Sequence, residues 1–286
     1  WLPRTYPGGS ASVMGLFSGL HTKVAVYMLY RIFVVVFDLE DRWKGLIVVV
    51  MIVSMLIGGF AGLAENSIRR VLAYQMVNGM PFILVMLAFA TDDPQRALAA
   101  GLIYALHHMV TIGSLVLSSG AVEETYGSGM LRKVSGIARR DPLLAAVFAA
   151  GAYSVVGFPP FSGLWGKVFV VVEIARDGSW WAWAAIAAVI LASFGALLSM
   201  LRVWRQVFWG RPMQDIPEDL RVRGRLIAPP VVLMVISVGM FIFAGPLIDA
   251  TRTATGALLD VDAYQSAVLG EDPVGVPDMT DLQGGR

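Results

Sequence analysis

Four basic side chains lie deep inside long apolar stretches of this sequence, where charge is costly. These are Lys23, His107, His108 and Lys167. At 1.5 Å per helical residue, Lys23 is about 18 Å into its stretch and the two histidines are about 15 Å into theirs. A charge at the centre of a bilayer costs about 2.5–3.5 kcal/mol on insertion scales, so such residues indicate function.

Proton transfer is the chemistry that these groups could perform. A lysine removed from water loses part of its preference for the charged form, and a histidine near neutrality can accept or release a proton. Two structural alternatives stay open: a buried lysine can pair with an acid of another chain, and a buried histidine can bond a backbone carbonyl. Since adjacent helical residues point about 100° apart, we favour His108 over His107 as the one facing a pathway.

A helix break is predicted close to Lys167. The run Gly157-Phe158-Pro159-Pro160-Phe161-Ser162-Gly163 cannot continue a regular helix, because proline lacks the N–H and clashes with the preceding turn. A discontinuous helix frees backbone carbonyls and can border a small hydrated cavity, as in transporters. Gly157, Pro159, Pro160 and Gly163 are therefore the predicted break residues.

Seven apolar stretches are long enough to cross roughly 30 Å of hydrocarbon as helices. We predict spans at 11–37, 45–64, 71–90, 94–122, 143–175, 180–201 and 226–248. The fifth is too long for one straight crossing and is broken at Pro159-Pro160. The sequence therefore predicts an all-α polytopic membrane protein with one transmembrane domain, residues 1–250. Residues 251–286 are a predicted extracytoplasmic tail, loosely ordered past Gly270.

Composition favours the membrane class and excludes several functions. Hydrophobic residues make up 57% and charged residues 15% of the 286, against roughly 45–50% and about 25% in soluble domains. The chain has no cysteine, which excludes disulfides and thiolate chemistry. Its three histidines show no zinc-binding spacing, and no basic stripe indicates nucleic acid. We predict no metal, no cofactor, no catalytic residue and no nucleic-acid partner.

The distribution of Lys and Arg predicts the orientation in the membrane. With Lys23 and Lys167 set aside, alternate loops carry thirteen basic residues on one side and seven on the other. The richer side should be cytoplasmic. The N-terminal end is then cytoplasmic and the C-terminus outside. The chain begins Trp1-Leu2-Pro3-Arg4, without Met or a leader, so we expect an earlier part to be missing.

Several motifs resemble those of the proton-conducting antiporter-like subunits, a family shared by respiratory complex I and the Mrp sodium/proton antiporters. The motifs are Trp1-Leu2-Pro3, Thr22-Lys23-Val24-Ala25-Val26-Tyr27, Arg69-Arg70-Val71-Leu72-Ala73-Tyr74, His107-His108 and Gly157-Phe158-Pro159-Pro160-Phe161-Ser162-Gly163-Leu164-Trp165-Gly166-Lys167. The last run, and the tail Tyr264-Gln265-Ser266-Ala267-Val268-Leu269-Gly270, are most similar to the D-type branch of the Mrp antiporter subunits. The resemblance extends over nearly the whole chain up to Gly270.

The resemblance implies a place for each basic residue. Members of the family carry about fourteen helices in two inverted repeats with flanking helices, and this chain looks like helices eight to fourteen. Lys23 then matches the eighth-helix lysine of the central hydrophilic axis, His108 the eleventh-helix histidine, and Lys167 the ionisable group of the broken twelfth helix. This half would hold the exit part of the pathway, while the seventh-helix lysine and its glutamate partner would lie in the missing half.

One departure from the family pattern affects the predicted relay. Many relatives have lysine four residues after the histidine that His108 matches, but this chain has Ile112. Water or a neighbouring polar group such as Thr111 or Ser114 would then have to bridge the gap between Lys23 and Lys167.

Residues and resemblance together predict a membrane subunit of a multisubunit sodium or other monovalent cation/proton antiporter in the bacterial plasma membrane. Protons would move along Lys23, His107, His108 and Lys167. We expect a secondary transporter subunit and not an enzyme, with other membrane subunits, lipid, protons and monovalent cations as its partners. Two alternatives stay open: a proton-pumping arm subunit of complex I or a membrane-bound hydrogenase, and a non-conducting structural subunit.

Overall fold

Helices form every regular element in the part of the chain that the structure, a computed structural model, describes: residues 1–211, 213, 217 and 219–270. The α-helices are α1 (Leu2–Thr5), α2 (Ala11–Leu16), α3 (Thr22–Val35), α4 (Lys44–Ala61), α5 (Ile68–Leu84), α6 (Pro94–Tyr126), α7 (Ile137–Arg140), α8 (Pro142–Val156), α9 (Gly163–Asp177), α10 (Trp180–Val203), α11 (Gly224–Ile242), α12 (Ala244–Leu259) and α13 (Val261–Leu269). The all-α class predicted from the sequence is confirmed.

Within the described residues, five helical stretches are long and apolar enough to cross a membrane. They are Asp41–Ala64, Ile68–Phe89, Pro94–Tyr126, Trp180–Phe208 and Gly224–Ile242. The other two predicted crossings are interrupted: a π-helical turn, Phe17–His21, joins α2 to α3, and a non-helical connection separates α8 from α9. The chain is thus a multi-pass membrane protein, and the count of seven crossings stays a prediction.

Helix α6 is the centre of the packing. It begins at Pro94, and the carboxylate of Asp93 caps it by accepting a hydrogen bond from the N–H of Arg96 at 3.1 Å. It ends at Tyr126, four residues beyond the predicted limit of 122, and Gly127 follows in a left-handed conformation. Along its length it contacts α2, α5, α8, α9, α11 and α12. Side chains on different faces of α6 can therefore reach six other helices.

Glycines bring α4 close to its neighbours. A Cβ atom at Gly58 would lie 2.3 Å from the backbone N of Asn78 on α5, and one at Gly59 would lie 2.9 Å from the carbonyl O of Ala192 on α10. Small residues allow such backbone-to-backbone approach between membrane helices, where packing takes the place of the hydrophobic effect. Helices α4, α5 and α10 therefore form one tightly packed layer beside α6.

The C-terminal region differs from the predicted division into a last span and a tail. Helix α11 ends at Ile242, and α12 starts directly afterwards and packs on α6. The hydroxyl of Thr255 donates to the carbonyl O of Gln95 at 3.0 Å. The predicted boundary at residue 251 therefore falls inside a packed helix, because continuous apolar sequence hides the break at Phe243. The loose order predicted past Gly270 concerns residues outside the described part.

Replacing Gly58 with alanine should weaken the contact between α4 and α5. Because the new methyl group would meet backbone atoms, we expect a loss of about 1–3 kcal/mol in stability, as for other overpacked cores. The readout is the melting temperature of the detergent-solubilised protein in its assembly.

Gly239 of α11 provides the matched control, since a Cβ atom there meets nothing within 4 Å. Gly239→Ala should be neutral or raise stability by up to about 1 kcal/mol through helix propensity. Equal melting temperatures for the two variants would contradict the close approach at Gly58.

Candidate functional site

Lys23 and His108 are in direct contact. Lys23 lies at the start of α3, directly after the π-helical turn Phe17–His21. The amine of Lys23 lies 2.8 Å from Nδ1 of His108 on α6. The amine also donates to the carbonyl O of Ser18 at 2.7 Å and to the hydroxyl of Thr22 at 3.2 Å. An ammonium has three N–H donors, so these three contacts satisfy it completely.

The tautomer of His108 follows from its two contacts. If the ammonium of Lys23 donates to Nδ1, the proton of the neutral ring resides on Nε2. That atom lies 3.4 Å from the carbonyl O of Gln75 on α5, which can accept its hydrogen bond. The ring also packs against Gly79, where a Cβ atom would lie 1.9 Å from Nε2. His108 therefore connects α3 to α5 and is buried at 3% exposure.

His107 faces a different cluster, made mainly of hydroxyl groups. Its Nδ1 lies 2.9 Å from the hydroxyl of Ser162 and 3.2 Å from that of Thr111. Thr111 contacts the hydroxyl of Ser154 at 2.9 Å, and Ser162 contacts that of Ser237 at 2.8 Å. The hydroxyls of Ser154 and Ser237 lie 3.3 Å apart, which closes a ring of hydrogen bonds. The two histidines thus lie in separate hydrogen-bonded groups on α6.

The helix break lies where the proline and glycine pattern predicted it. Helix α8 ends at Val156, and Gly157 follows with φ of 105°, a conformation that favours glycine. Pro159 and Pro160 lie in the connection, and α9 begins at Gly163. A Cβ atom at Gly163 would lie 1.8 Å from the carbonyl O of Ser154. The predicted break residues therefore allow α9 to start in contact with the last turns of α8.

Lys167 uses a carbonyl that the break releases. Its amine donates to the carbonyl O of Val156 at 2.8 Å and to the hydroxyl of Ser193 on α10 at 2.6 Å. The last carbonyls of a helix have no partner within the helix, so the end of α8 supplies this acceptor. The amine also lies over the ring of Phe82 on α5, 5.4 Å from its centroid. Lys167 is thus positioned by α8, α10 and α5.

The structure brings Lys23 and His108 together but does not join them to Lys167 by direct hydrogen bonds among the described residues. Phe82 and Tyr104 stack at 4.8 Å between ring centroids, and the Tyr104 ring lies 6.2 Å from that of His108. These two rings occupy the space between the lysine clusters. Ile112 is fully buried in the apolar core, so its side chain adds no polar atom beside His108.

Of the two groups suggested for bridging the gap, only one lies in the site. Thr111 joins His107 to Ser154. Ser114 instead donates to the carbonyl O of Pro230 at 2.9 Å. Thr111 therefore extends the His107 cluster, and Ser114 serves helix packing against α11.

Sequence reasoning missed most of the hydroxyl groups. Ser154, Ser193 and Ser237 lie in apolar stretches where serine often bonds its own helix backbone, so type and spacing give no signal. Gln75 is a polar residue in the apolar stretch 71–90, but the sequence did not predict its contact with His108. Among the described residues, no group of three His, Asp or Glu side chains could hold a metal ion.

Comparison with known proteins identifies similar chains. The family model described as NADH:quinone oxidoreductase/Mrp antiporter, TM, matches residues 1–195. The D-type subunit of the Na(+)/H(+) antiporter of Alkalihalophilus pseudofirmus is 28% identical over 95% of this chain and 54% of its own length. This chain spans about half the length of the curated relatives it matches.

Two solved structures share the fold. A chain in the Mrp complex from Dietzia sp. DQ12-45-1b is 33% identical, with a TM-score of 0.87 over 94% of this chain and 57% of that one. A chain of the membrane-bound sulfane sulfur reductase, an archaeal respiratory membrane complex, is 20% identical, with a TM-score of 0.81 over 94% of this chain and 54% of that one. The second likeness shows the fold alone.

Removing the hydroxyl of Ser237 should destabilise the cluster around His107. This hydroxyl accepts from the backbone N–H of Ser162 at 3.2 Å and contacts the hydroxyls of Ser162 and Ser154. Ser237→Ala leaves a buried N–H without a partner, so we expect a loss of about 1–3 kcal/mol. The melting temperature of the solubilised assembly measures it.

Ser118→Ala is the control for this change. Ser118 is fully buried, and its hydroxyl has no hydrogen-bond partner among the described residues. Its replacement should leave the melting temperature unchanged or raise it slightly. A Ser237→Ala protein that melts with the wild type would show that the cluster contributes nothing.

Proposed function

Because this chain belongs to the NADH:quinone oxidoreductase/Mrp antiporter transmembrane family, we propose that it conducts protons as a membrane subunit of a multisubunit monovalent cation/proton antiporter. The observation that carries the proposal is the contact between the Lys23 amine and His108 at 2.8 Å inside the helical bundle. Two adjacent basic groups form no ion pair with each other, so charge attraction does not explain their contact. As a proton donor and acceptor, they form one step of a relay.

The contact allows a proton to pass from one side of His108 to the other. Lys23 donates to Nδ1, and the ring can release its second proton from Nε2 on the side of Gln75. A charge on the imidazole disfavours a charge on the adjacent amine, because like charges repel strongly in a medium of low dielectric constant. Protons would therefore advance one at a time, each driven by the charge on its neighbour.

Lys167 is the outer station of the proposed relay. The carbonyl of Val156 and the hydroxyl of Ser193 take two of its N–H donors, and the face of Phe82 lies near the amine. A carbonyl, a hydroxyl and an aromatic face all stabilise an ammonium. His107 with its hydroxyl groups can supply a side branch of the relay beside α8 and α9.

The setting of this function follows from family and composition. We assign the complex to the bacterial plasma membrane, with the N-terminal end of this chain cytoplasmic and the C-terminus outside. Its partners are other membrane subunits, lipid, protons and a monovalent cation. The chain acts as part of a secondary transporter and not as an enzyme. The likeness at 33% identity to a chain of the Dietzia Mrp complex supports this assignment over others.

A redox-driven pump is the second candidate. The family description includes NADH:quinone oxidoreductase, and the sulfane sulfur reductase of a respiratory complex shares the fold. The same buried groups would then move protons in response to redox chemistry in other subunits. The absorbance of the purified complex distinguishes the two, since iron–sulfur or flavin bands favour the pump.

Replacing Lys167 with alanine should abolish cation/proton exchange. The change removes the amine that lies between the helix break and α10, so the outer station cannot take up a proton. Exchange is measured in membrane vesicles that contain the whole complex, with a fluorescent probe of the pH gradient. We expect the signal of vesicles that lack the complex, at an unchanged yield of assembled protein.

The matched control is Lys133→Ala, which removes an exposed lysine from the connection between α6 and α7. It should exchange at the wild-type rate. Normal exchange in the Lys167→Ala complex would refute the proposed role of that residue.

Lys23→Met separates conduction from a purely structural role. Methionine keeps much of the length and volume of lysine but cannot carry a proton. A conducting Lys23 predicts a strong loss of exchange with normal complex yield, measured in the same vesicles and by purification. A structural subunit would give the reverse result, a reduced yield with wild-type exchange for each assembled complex.

A further inference from the structure

A groove of about 460 Å³ opens between α4 and α10, near the C-terminal ends of both helices. These ends are also the ends of two stretches that can cross a membrane, Asp41–Ala64 and Trp180–Phe208. The lining consists of three leucines and three polar side chains: Leu63, Leu198, Leu201, Arg202, Arg205 and Gln206. The groove thus combines an apolar wall with basic side chains at the level where a bilayer has its headgroups.

Helices α4 and α10 pack closely just before the groove. A Cβ atom at Gly195 would lie 2.9 Å from backbone atoms of Gly59, and the hydroxyl of Ser199 donates to the carbonyl O of Gly59 at 3.2 Å. Beyond this contact α4 ends, whereas α10 continues into the π-helical turn Trp204–Phe208, which carries Arg205. The groove is therefore bounded by helices whose spacing is fixed by backbone contacts.

Arginine supplies the charge of the groove among the described residues. Arg202 donates to the carbonyl O of Glu65 at 2.5 Å and to Oδ1 of Asn66 at 3.2 Å, both of which are uncharged oxygens. The carboxylate of Glu65 lies instead 3.7 Å from the guanidinium of Arg70. Arg205 is exposed and forms no hydrogen bond or ion pair in the part of the chain that the structure describes. Neither arginine of the groove is thus neutralised by a described acid.

A second groove, of about 250 Å³, lies on the other side of Leu201, between α8 and α10. It extends along α8 from Ala149 to Val156, a rise of about 10.5 Å. No charged side chain lines it among the described residues, but Trp204 and Trp209 do, and tryptophan favours the membrane interface. One apolar groove on each side of Leu201 matches a ligand with two hydrocarbon chains.

The chemistry of the two grooves fits an anionic phospholipid. A phosphate accepts paired hydrogen bonds from a guanidinium, and the N–H groups of Arg205 have no other described acceptor. A zwitterionic lipid brings an ammonium that two arginines would repel, and a free phosphate would use neither apolar groove. Basic pockets between membrane helices on the cytoplasmic side bind anionic headgroups. The alternation of spans places this end of α10 on the side that we assign to the cytoplasm.

We propose that one anionic phospholipid occupies this site, with its phosphate on Arg202 and Arg205 and its acyl chains in the grooves on either side of Leu201. The bound lipid joins α4, α8 and α10 at the membrane surface. The inference goes beyond proton conduction and does not rest on it, because none of the buried basic side chains takes part in the binding.

The test uses cysteine labelling, because this chain has no cysteine of its own. Gln206→Cys places a thiol in the groove of the whole complex, which is reconstituted in nanodiscs of phosphatidylglycerol or of phosphatidylcholine. Labelling by N-ethylmaleimide is measured on the peptide that contains residue 206. It should be about tenfold slower in phosphatidylglycerol, since a site about nine-tenths occupied exposes the thiol for about a tenth of the time. Adding Arg205→Gln should restore the fast rate.

Two controls isolate the groove from the charge of the membrane surface. Lys133→Cys places a thiol at an exposed position outside the groove, and its rate corrects for the effect of anionic lipid on any thiol. Arg132→Gln removes an exposed arginine that does not line the groove and should leave the protection of Gln206→Cys unchanged. Equal corrected rates in the two lipids would overturn the inference. Slow labelling in both would also overturn it, because a partner subunit or any lipid would then cover the groove.

Two further readouts distinguish a lipid from a free phosphate and serve if the cysteine variant does not assemble. Inorganic phosphate added to phosphatidylcholine nanodiscs should give no protection, and protection equal to that of phosphatidylglycerol would refute the lipid assignment. A density map of the wild-type complex in phosphatidylglycerol should show a headgroup within hydrogen-bond distance of Arg205 and chain density beside Leu201. An empty groove, or one filled by side chains of a partner subunit, contradicts the proposal.

Discussion

Polar groups inside a hydrocarbon layer must find their partners within the protein, because the layer supplies no water. Lys23 and Lys167, the two lysines predicted to lie within the membrane, meet this constraint in the same way. Each lies beside an interruption of its helix: Lys23 follows the π-helical turn Phe17–His21, and Lys167 follows the break after Val156. Each donates to a backbone carbonyl at that interruption, Ser18 or Val156. The irregular backbone is thus the means by which an amine is kept in an apolar setting.

The long helix α6 supplies the two histidines that lie near these amines. Its adjacent histidines point in different directions, so that His108 reaches Lys23 and α5, while His107 reaches the hydroxyls at the break between α8 and α9. Helix α6 therefore contacts both interruptions: the π-helical turn before α3 and the break between α8 and α9. The close glycine contacts at Gly79 and Gly163 hold the neighbouring backbones against the two rings, which leaves the imidazoles little freedom to turn away.

The parts of this arrangement that follow from residue type were predictable from the sequence, and those that depend on packing were not. Charge in an apolar stretch singled out Lys23 and Lys167, and the Pro-Pro pair predicted the break, since both have local physical causes. The hydroxyl of Ser237 was invisible, because serine in a membrane helix has an acceptable partner in its own backbone. The end of α11 was missed for a similar reason, as hydropathy is continuous through Phe243. The roles assigned to the basic residues remain predictions.

The stacked pair Phe82 and Tyr104 gives the site its division into two halves. Aromatic rings without a free donor or acceptor at their faces cannot pass a proton, yet the face of Phe82 can stabilise the ammonium of Lys167. The hydroxyls of Thr111 and Ser162 lie on the His107 side of α6, and their hydrogen bonds continue to Ser154 on α8 and Ser237 on α11. Phe82 and Tyr104 therefore separate the Lys23–His108 contact from the partners of Lys167, and among the described residues no direct hydrogen bond joins the two sides.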